Sequence, residues 1–358
     1  MSTAPICLKT ALIGACCILA ISSANAESPA ISGFIDATYN RNLQSGDAGP
    51  TTNYHHSFDA QANTFLLNAV HLAAVGSSGE ELSYVIEVDM GTDAAAINSG
   101  GLGTGDEMDL QEAYLTYRRP SSKLGFKVGK FVTYQGIEVI ESGANPTVTR
   151  GHLFGLAEPY THTGIVATYQ LSQAFDVHLG AVNGWDLYVD NNKRPTGVLK
   201  LGYSGGDPLT LTVSTYMGPE QAGNTDNIRT SLDATGVSKS IKNVDLWFQF
   251  NYGMEDGVAA DGGDASWMGF GLQPLYHLSE KVSLGARYEY FKDSDGARSG
   301  TVETLQNISI APAYSLTKSL VSRVEFRADM SDQDVFMDAD GKATGQQLQV
   351  AAEMIYSF

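Results

Sequence analysis

From Ile31 to the C-terminal Phe358, apolar and polar residues alternate in run after run. This period of two is the pattern of strands with one apolar and one polar face. Leu320–Met330 shows it best, with Val324, Phe326, Ala328 and Met330 on one face and Arg323, Glu325, Arg327 and Asp329 on the other. Val282–Asp293 sets Leu284, Ala286, Tyr288 and Tyr290 against Ser283, Arg287 and Glu289; Val244–Gly253 sets Leu246, Phe248, Phe250 and Tyr252 against Asp245, Gln249 and Asn251. Sixteen strands are expected, at Ile31–Arg41, Thr64–Val75, Leu82–Asp89, Asp109–Arg118, Lys123–Phe131, Gly164–Gln170, Phe175–Gly184, Gly197–Tyr203, Leu209–Met217, Thr230–Ser238, Val244–Gly253, Trp267–His277, Val282–Asp293, Leu305–Leu316, Leu320–Met330 and Gln346–Phe358. The tenth, Thr230–Ser238, carries the weakest pattern. Many of the runs approach the ~9–11 residues that a tilted strand needs to cross a bilayer, whereas ordinary strands average ~5–6.

The connections separate a membrane barrel from a soluble sandwich. They alternate strictly between short (Gly76–Glu81, Arg119–Ser122, Leu171–Ala174 and so on to Thr317–Ser319) and long (Asn42–Asn63, Met90–Met108, Val132–Thr163 and so on to Ser331–Gly345). Short turns at one end and long loops at the other are the mark of an up-and-down outer-membrane barrel. A Greek-key sandwich has no reason to produce that order. The expected fold is therefore all-β: a single antiparallel transmembrane barrel of about sixteen strands. The short turns carry Arg119, Lys239, Lys242, Lys281 and Lys318, and the long loops are acidic, as at Asp332, Asp334, Asp338 and Asp340. Acidic loops outside the cell would meet the divalent cations that bridge lipopolysaccharide.

The longest connection, Val132–Thr163, holds Tyr134, Ile137, Val139, Ile140, Phe154, Leu156 and Tyr160 beside Glu138, Glu141, Arg150 and Glu158. A long connection inside a compact domain is usually either functional or a sign of a misplaced element, and the mixed character of this one points to function. The expectation is a third extracellular loop folded into the lumen. Glu138, Glu141, Arg150 and Glu158 would then form a constriction. Arg118, Lys127, Arg287, Arg323 and Arg327, on lumen-facing strand positions, would form a basic wall opposite it. Opposed charges of that kind set up a transverse field across a pore. Salt bridges pinning the loop to the wall are the alternative role, and the two are compatible.

Composition narrows the compartment. Lys9, the apolar stretch Ala11–Ile21 and Ala24-Asn25-Ala26 read as a signal peptide over residues 1–26, leaving 27–358 as the barrel domain. Ile13-Gly14-Ala15-Cys16 is a weaker, lipoprotein-like reading of the same leader. Cys7, Cys16 and Cys17 all lie in the leader, so no thiolate chemistry is expected beyond it. The net charge of −18 argues against nucleic acid as a partner, since phosphate binding needs a basic patch. The closing run ends Tyr356-Ser357-Phe358, an aromatic pattern like the signature read by the outer-membrane barrel-assembly machinery.

Gly129-Lys130-Phe131, the stretch Gly136–Gly164 (GIEVIESGANPTVTRGHLFGLAEPYTHTG), Asn183-Gly184-Trp185-Asp186 and Asp190-Asn191-Asn192-Lys193 together resemble the OmpL-like β-barrel porins. The resemblance runs through most of the chain and is densest from Asp109 to Lys200. It implies an outer-membrane barrel and passive passage of small hydrophilic solutes or ions, without catalytic residues. The functional expectation is a porin in the bacterial outer membrane, in contact with lipid and lipopolysaccharide and, at this barrel size, compatible with a homotrimer. A barrel-edge hydrolase and a non-conducting adhesin or scaffold are the competing readings.

Other signals carry less. Gly101–Gly105 has part of a dinucleotide fingerprint but no following helix. Asp338-Ala339-Asp340-Gly341 lacks the acids of a calcium loop at Phe336 and Gln347. No cofactor or metal is expected. His55-His56 reads as a solvated pair. His71, His178 and His277 lie on separate strands without assignable partners, and Trp185 and Trp267 are expected to anchor loop bases at the membrane interface.

Overall fold

In the computed structural model, which describes residues 28–46, 49–97, 107–206 and 208–358, the alternating runs form sixteen long strands. They are β1 (Ala30–Asn42), β2 (Thr64–Ser78), β3 (Leu82–Met90), β4 (Met108–Tyr117), β5 (Leu124–Val132), β6 (Thr161–Gln170), β7 (Phe175–Val182), β8 (Thr196–Ser204), β9 (Leu209–Gly218), β10 (Arg229–Ile241), β11 (Val244–Glu255), β12 (Ala265–His277), β13 (Val282–Asp293), β14 (Glu303–Ser315), β15 (Leu320–Ser331) and a closing strand, Gln346–Ser357. Each pairs antiparallel with its neighbours in sequence, and the closing strand pairs with β1. The sheet has no free edge, so its strands bond to one another all the way round, as a bilayer demands. The leader and Gly101–Gly105 lie outside the described residues.

Parity decides which side chains meet lipid. On β15, Arg323, Glu325, Arg327 and Asp329 are buried inside, while Phe326 is exposed on the outer wall. Leu115, Val128, Ile165, Leu179, Val213, Phe250, Phe270, Ile310 and Met354 continue that exposed apolar belt round the barrel. An apolar patch that encircles a protein marks a membrane surface. No helix among the described residues is long and apolar enough to cross a membrane.

The tenth strand is as long as its neighbours, despite its weak pattern, and pairs along its length with β9 and β11. Its outer face is small because larger neighbours cover it. A side chain at Gly236 would collide with Phe248 and Leu211. On β4, the ladder with β3 shifts register between Glu87 and Asp89. Beside this bulge the consecutive residues Gln111 and Glu112 are both buried: Gln111 donates to the loop residue Glu141, and Glu112 accepts from Val132 N. Bulges re-aim side chains in this way.

The segment between β5 and β6 lies against the inner wall. Its backbone and side chains bond to inward residues of β9 (Tyr216, Ser214), β10 (Ser231, Asp233), β11 (Gln249), β13 (Arg287, Glu289), β15 (Arg323, Glu325, Arg327) and the closing strand (Glu353). Glycines allow the approach. A Cβ at Gly285 would lie 1.8 Å from Pro146 O, and one at Gly269 would lie 2.3 Å from Leu153. Ile137 packs on Val237 and Trp247, and Leu153 and Ala157 pack on Trp267, Phe291 and Leu305. Burying each large apolar side chain contributes about 1.5–3 kcal/mol.

Candidate functional site

The basic side chains of the wall meet the loop as a ladder. Arg287 is fully buried; its Nη1 donates to Glu138 Oε1 at 2.8 Å and to Thr147 Oγ1 at 2.7 Å, and its Nη2 to Thr149 Oγ1 at 2.9 Å. Glu325 Oε2 in turn accepts from Thr149 N at 2.7 Å. Arg323 donates to Asn145 O at 2.9 Å and Ser142 Oγ at 2.6 Å, and also pairs with Glu353. Arg327 donates to Arg150 O at 2.7 Å. Guanidinium groups suit this role because their fixed fork holds several acceptors at once.

Of the four loop charges expected at a constriction, three are buried. Glu138 is bound by Arg287 and by Gly151 N. Arg150 pairs with Asp93 at 2.9 Å, donates to Ile140 O and covers the Phe58 ring. Glu158 accepts from Gln249 Nε2 at 2.6 Å. Burial, with the Asp233 charge adding to it, pushes the Glu158 carboxyl well above the usual carboxylate range. Glu141 alone remains half-buried, held by Gln111 Nε2 at 2.5 Å.

Arg287, Arg323 and Arg327 face inward but are buried under the loop. Arg118 lies just past the end of β4, half-buried at the short-turn end, and its N donates to Glu81 O. Lys127 is half-buried on the inner face, its ammonium 4.3 Å from the Tyr114 ring centre and 5.3 Å from that of Phe131. The inner wall is therefore unequal. From β9 round to β1, inward side chains above the short-turn end are mostly buried. On β3 to β7, Glu87, Tyr114, Thr116, Lys127, Thr168 and Asp176 keep partial exposure. Across the β3–β4 ladder Glu87 stands directly opposite Glu112.

Several side chains differ from expectation. Trp267 is fully buried and faces inward; its Nε1 donates to Asn251 Oδ1 at 3.2 Å. Trp185 packs on it, edge to face, between the guanidinium groups of Arg229 and Arg298. Neither Trp185 nor Trp267 anchors the membrane interface. His55 and His56 are not a solvated pair. His56 is buried between Asp59 and Asp329, at 2.8 Å from each, and His55 lies 3.3 Å from Glu303. His71, His178 and His277 each find an aspartate: Asp89, Asp176 and Asp245. Tyr356 and Phe358 are exposed on the outside, and Phe358 bonds backbone to backbone with Gly33 in both directions. Among the described residues, no group of three acidic, histidine or cysteine side chains is placed to hold a metal ion.

A closed sixteen-strand sheet, apolar outside and polar within, defines the class: a β-barrel of the outer membrane. The chain belongs to the family described as "Putative beta-barrel porin-2, OmpL-like", whose model matches residues 29–358. It is a porin of the bacterial outer membrane. Solved structures share the fold. The outer membrane channel DcaP of Acinetobacter baumannii is 14% identical, with a TM-score of 0.63, covering 94% of this chain and 99% of that one. The anion-selective porin from Comamonas acidovorans is 10% identical, with a TM-score of 0.63, covering 92% and 99%. OmpT of Vibrio cholerae in its trimer form is 13% identical, with a TM-score of 0.61, covering 93% and 100%. A search of curated proteins finds no match to the chain.

Proposed function

We propose that small hydrophilic solutes and ions diffuse through the half of the lumen bounded by β3 to β7, and that the loop between β5 and β6 fills the other half. One observation carries this reading. Glu138, Glu158 and the backbone and hydroxyl groups of the loop bond to the wall from β9 to the closing strand, while Glu87, Tyr114, Thr116 and Lys127 keep partial exposure. In this reading Glu138, Arg150 and Glu158 act as braces, as do Arg287, Arg323 and Arg327. Glu141 is the loop charge that faces the path, with Lys127 beside it on the wall and Arg118 at the short-turn mouth. Removing water from an ion is costly, so a half-lumen lined by polar groups passes solutes that an apolar one would stop.

The short turns then face the periplasm and the acidic long loops face outward, toward lipopolysaccharide. The outer apolar belt takes lipid, and a trimer like that of the OmpT structure fits a barrel of this size. Tyr356 and Phe358 serve insertion by the assembly machinery. The family and fold are those of a channel, and no enzymatic role is proposed. A second reading, a barrel sealed by its loop, is favoured by the burial of inward residues on β9 to β15. Single-channel recording of the purified protein in a planar bilayer separates the two. Stepwise conductance supports the channel; a silent bilayer, with correctly folded barrels in it, supports the sealed scaffold.

A further inference from the structure

Like charges placed directly opposite each other on neighbouring strands destabilise a sheet, yet Glu87 and Glu112 are such a pair. Asp89 is the next inward residue on β3, and Glu141 of the loop is tied to Gln111 beside Glu112. Asp89 and Glu141, with Asp93 and Ser142, also line a small cavity of about 10 Å³ whose apolar side is Phe34, Ala69 and Ile140; Glu87 and Glu112 lie outside its lining. That is room for about one water-sized particle. Asp93 is already neutralised by Arg150. Asp89 is 2% exposed; its Oδ1 is bound to His71 Nδ1, and its Oδ2 is buried with no hydrogen-bond partner. An unpaired carboxylate oxygen at that depth is costly unless it takes up a proton or something positive visits it. Three cationic side chains border the corner: Arg150, paired with Asp93; His71, paired with Asp89; and Lys127, lodged over Tyr114. Lys130 on β5 is taken up by Asp109 at 3.0 Å.

We infer that the corner formed by Glu87, Asp89, Glu112 and Glu141 receives one small positively charged group in transit, and that it gives the channel a preference for cations. The ligand chemistry is a compact monovalent cation, either a free alkali ion or the protonated amine of an organic solute. The arrangement does not suit a chelated divalent ion, in keeping with the lack of a metal-ligating trio among the described residues. The inference rests on the channel reading proposed above.

The test is the reversal potential of single channels in a potassium chloride gradient, for wild type and for the near-isosteric variants Glu87→Gln, Glu141→Gln and the double variant. Wild type should favour potassium over chloride. Each carboxylate removed should lower the permeability ratio about two- to threefold, the effect of one unit charge roughly 8 Å from the ion in a water-like dielectric. A second arm adds butylammonium or butyrate at one side. Block by butylammonium alone, weakened in the double variant, assigns the site to organic amines as well; no block by either confines it to free ions. Heat-modifiable migration on gels confirms that each variant has closed its barrel. Conductance without cation preference, or a ratio unmoved in the double variant, overturns this inference alone. A folded wild type with no conductance overturns the channel reading, and this inference with it.

Discussion

Arg287→Ala removes the central brace between the loop and the wall. The side chain is fully buried and bonds to Glu138, Thr147, Thr149, Asn307 and Ser309, with Glu325 Oε1 at 3.3 Å. Without it Glu138 and Glu325 become buried carboxylates lacking their cation, the case in which breaking a buried pair costs about 3–5 kcal/mol. At ~1.4 kcal/mol per factor of ten, the ratio of docked to undocked loop falls by about two to three and a half powers of ten. The barrel ladder needs none of these atoms, so the variant should still migrate as a folded, heat-modifiable band. The assay is limited proteolysis of the segment from 133 to 160, together with single-channel current noise. We expect cleavage within that segment and frequent steps to larger conductance. Adding Glu138→Gln should restore part of the protection, because a neutral amide costs about 1–3 kcal/mol to leave unpaired rather than the larger cost of a charge. Unchanged proteolysis and unchanged noise in Arg287→Ala would refute the assignment of this arginine as a brace.

Gly285→Ala should loosen the same loop by a different route, since its Cβ would overlap Pro146 O; a loss of about 1–3 kcal/mol is expected and is read by the same proteolysis. His152 lies 3.0 Å from Asp329 Oδ1, and burial, with Arg327 and His56 nearby, holds its imidazole down to about 4. The undocked ring titrates near ~6.5, so it takes up a proton that the docked ring does not. Docking therefore weakens as pH falls from ~6.5 toward 4, by on the order of 1–2 kcal/mol at pH 5. His152→Gln should lose that acid-side part of the pH dependence of proteolysis. His56 works in the opposite sense: burial and Arg327 lower its pKa, but Asp59 and Asp329 outweigh them and raise it. Its contribution is complete below ~6.5 and fades as pH rises through the raised value, so His56→Gln should flatten the alkaline side. Deleting Phe358 removes the last backbone pair, with Gly33, of the seam between β1 and the closing strand; the expected result is a lower yield of folded barrel in cells.

The barrel was legible in the sequence because alternation and connection length are local properties. Leu320–Met330 shows its inward and outward faces to any reader. The tenth strand was harder, since the outer bulk over Gly236 comes from Phe248 and Leu211 on its neighbours. Trp267 shows a rule overriding a better signal. It shares parity with Gly269, Gly271 and Gln273, while Met268, Phe270 and Leu272 take the outer face. That parity puts it inside, against the expectation of a tryptophan at the membrane interface. The burial of His56 depends on Asp329, distant in sequence, and only the folded loop joins them. The site was legible as a set of charges but not as a division of labour. Glu138, Glu141, Arg150 and Glu158 look alike along the chain, and which of them keeps water depends on which strand each meets. The Glu87–Glu112 pair is visible only in the register of β3 on β4.

The most direct measurement uses the absence of cysteine from residues 28–358. Single cysteines at Thr116 and Glu87, and in comparison at Asp233 and Thr235 beneath the loop, are exposed to a small cationic thiol reagent while single channels are recorded. The account predicts prompt, stepwise loss of current for Thr116→Cys and Glu87→Cys, and none on that timescale for Asp233→Cys and Thr235→Cys. Block from the β10 positions with none from β3 and β4 would place the path on the other side of the loop and contradict it.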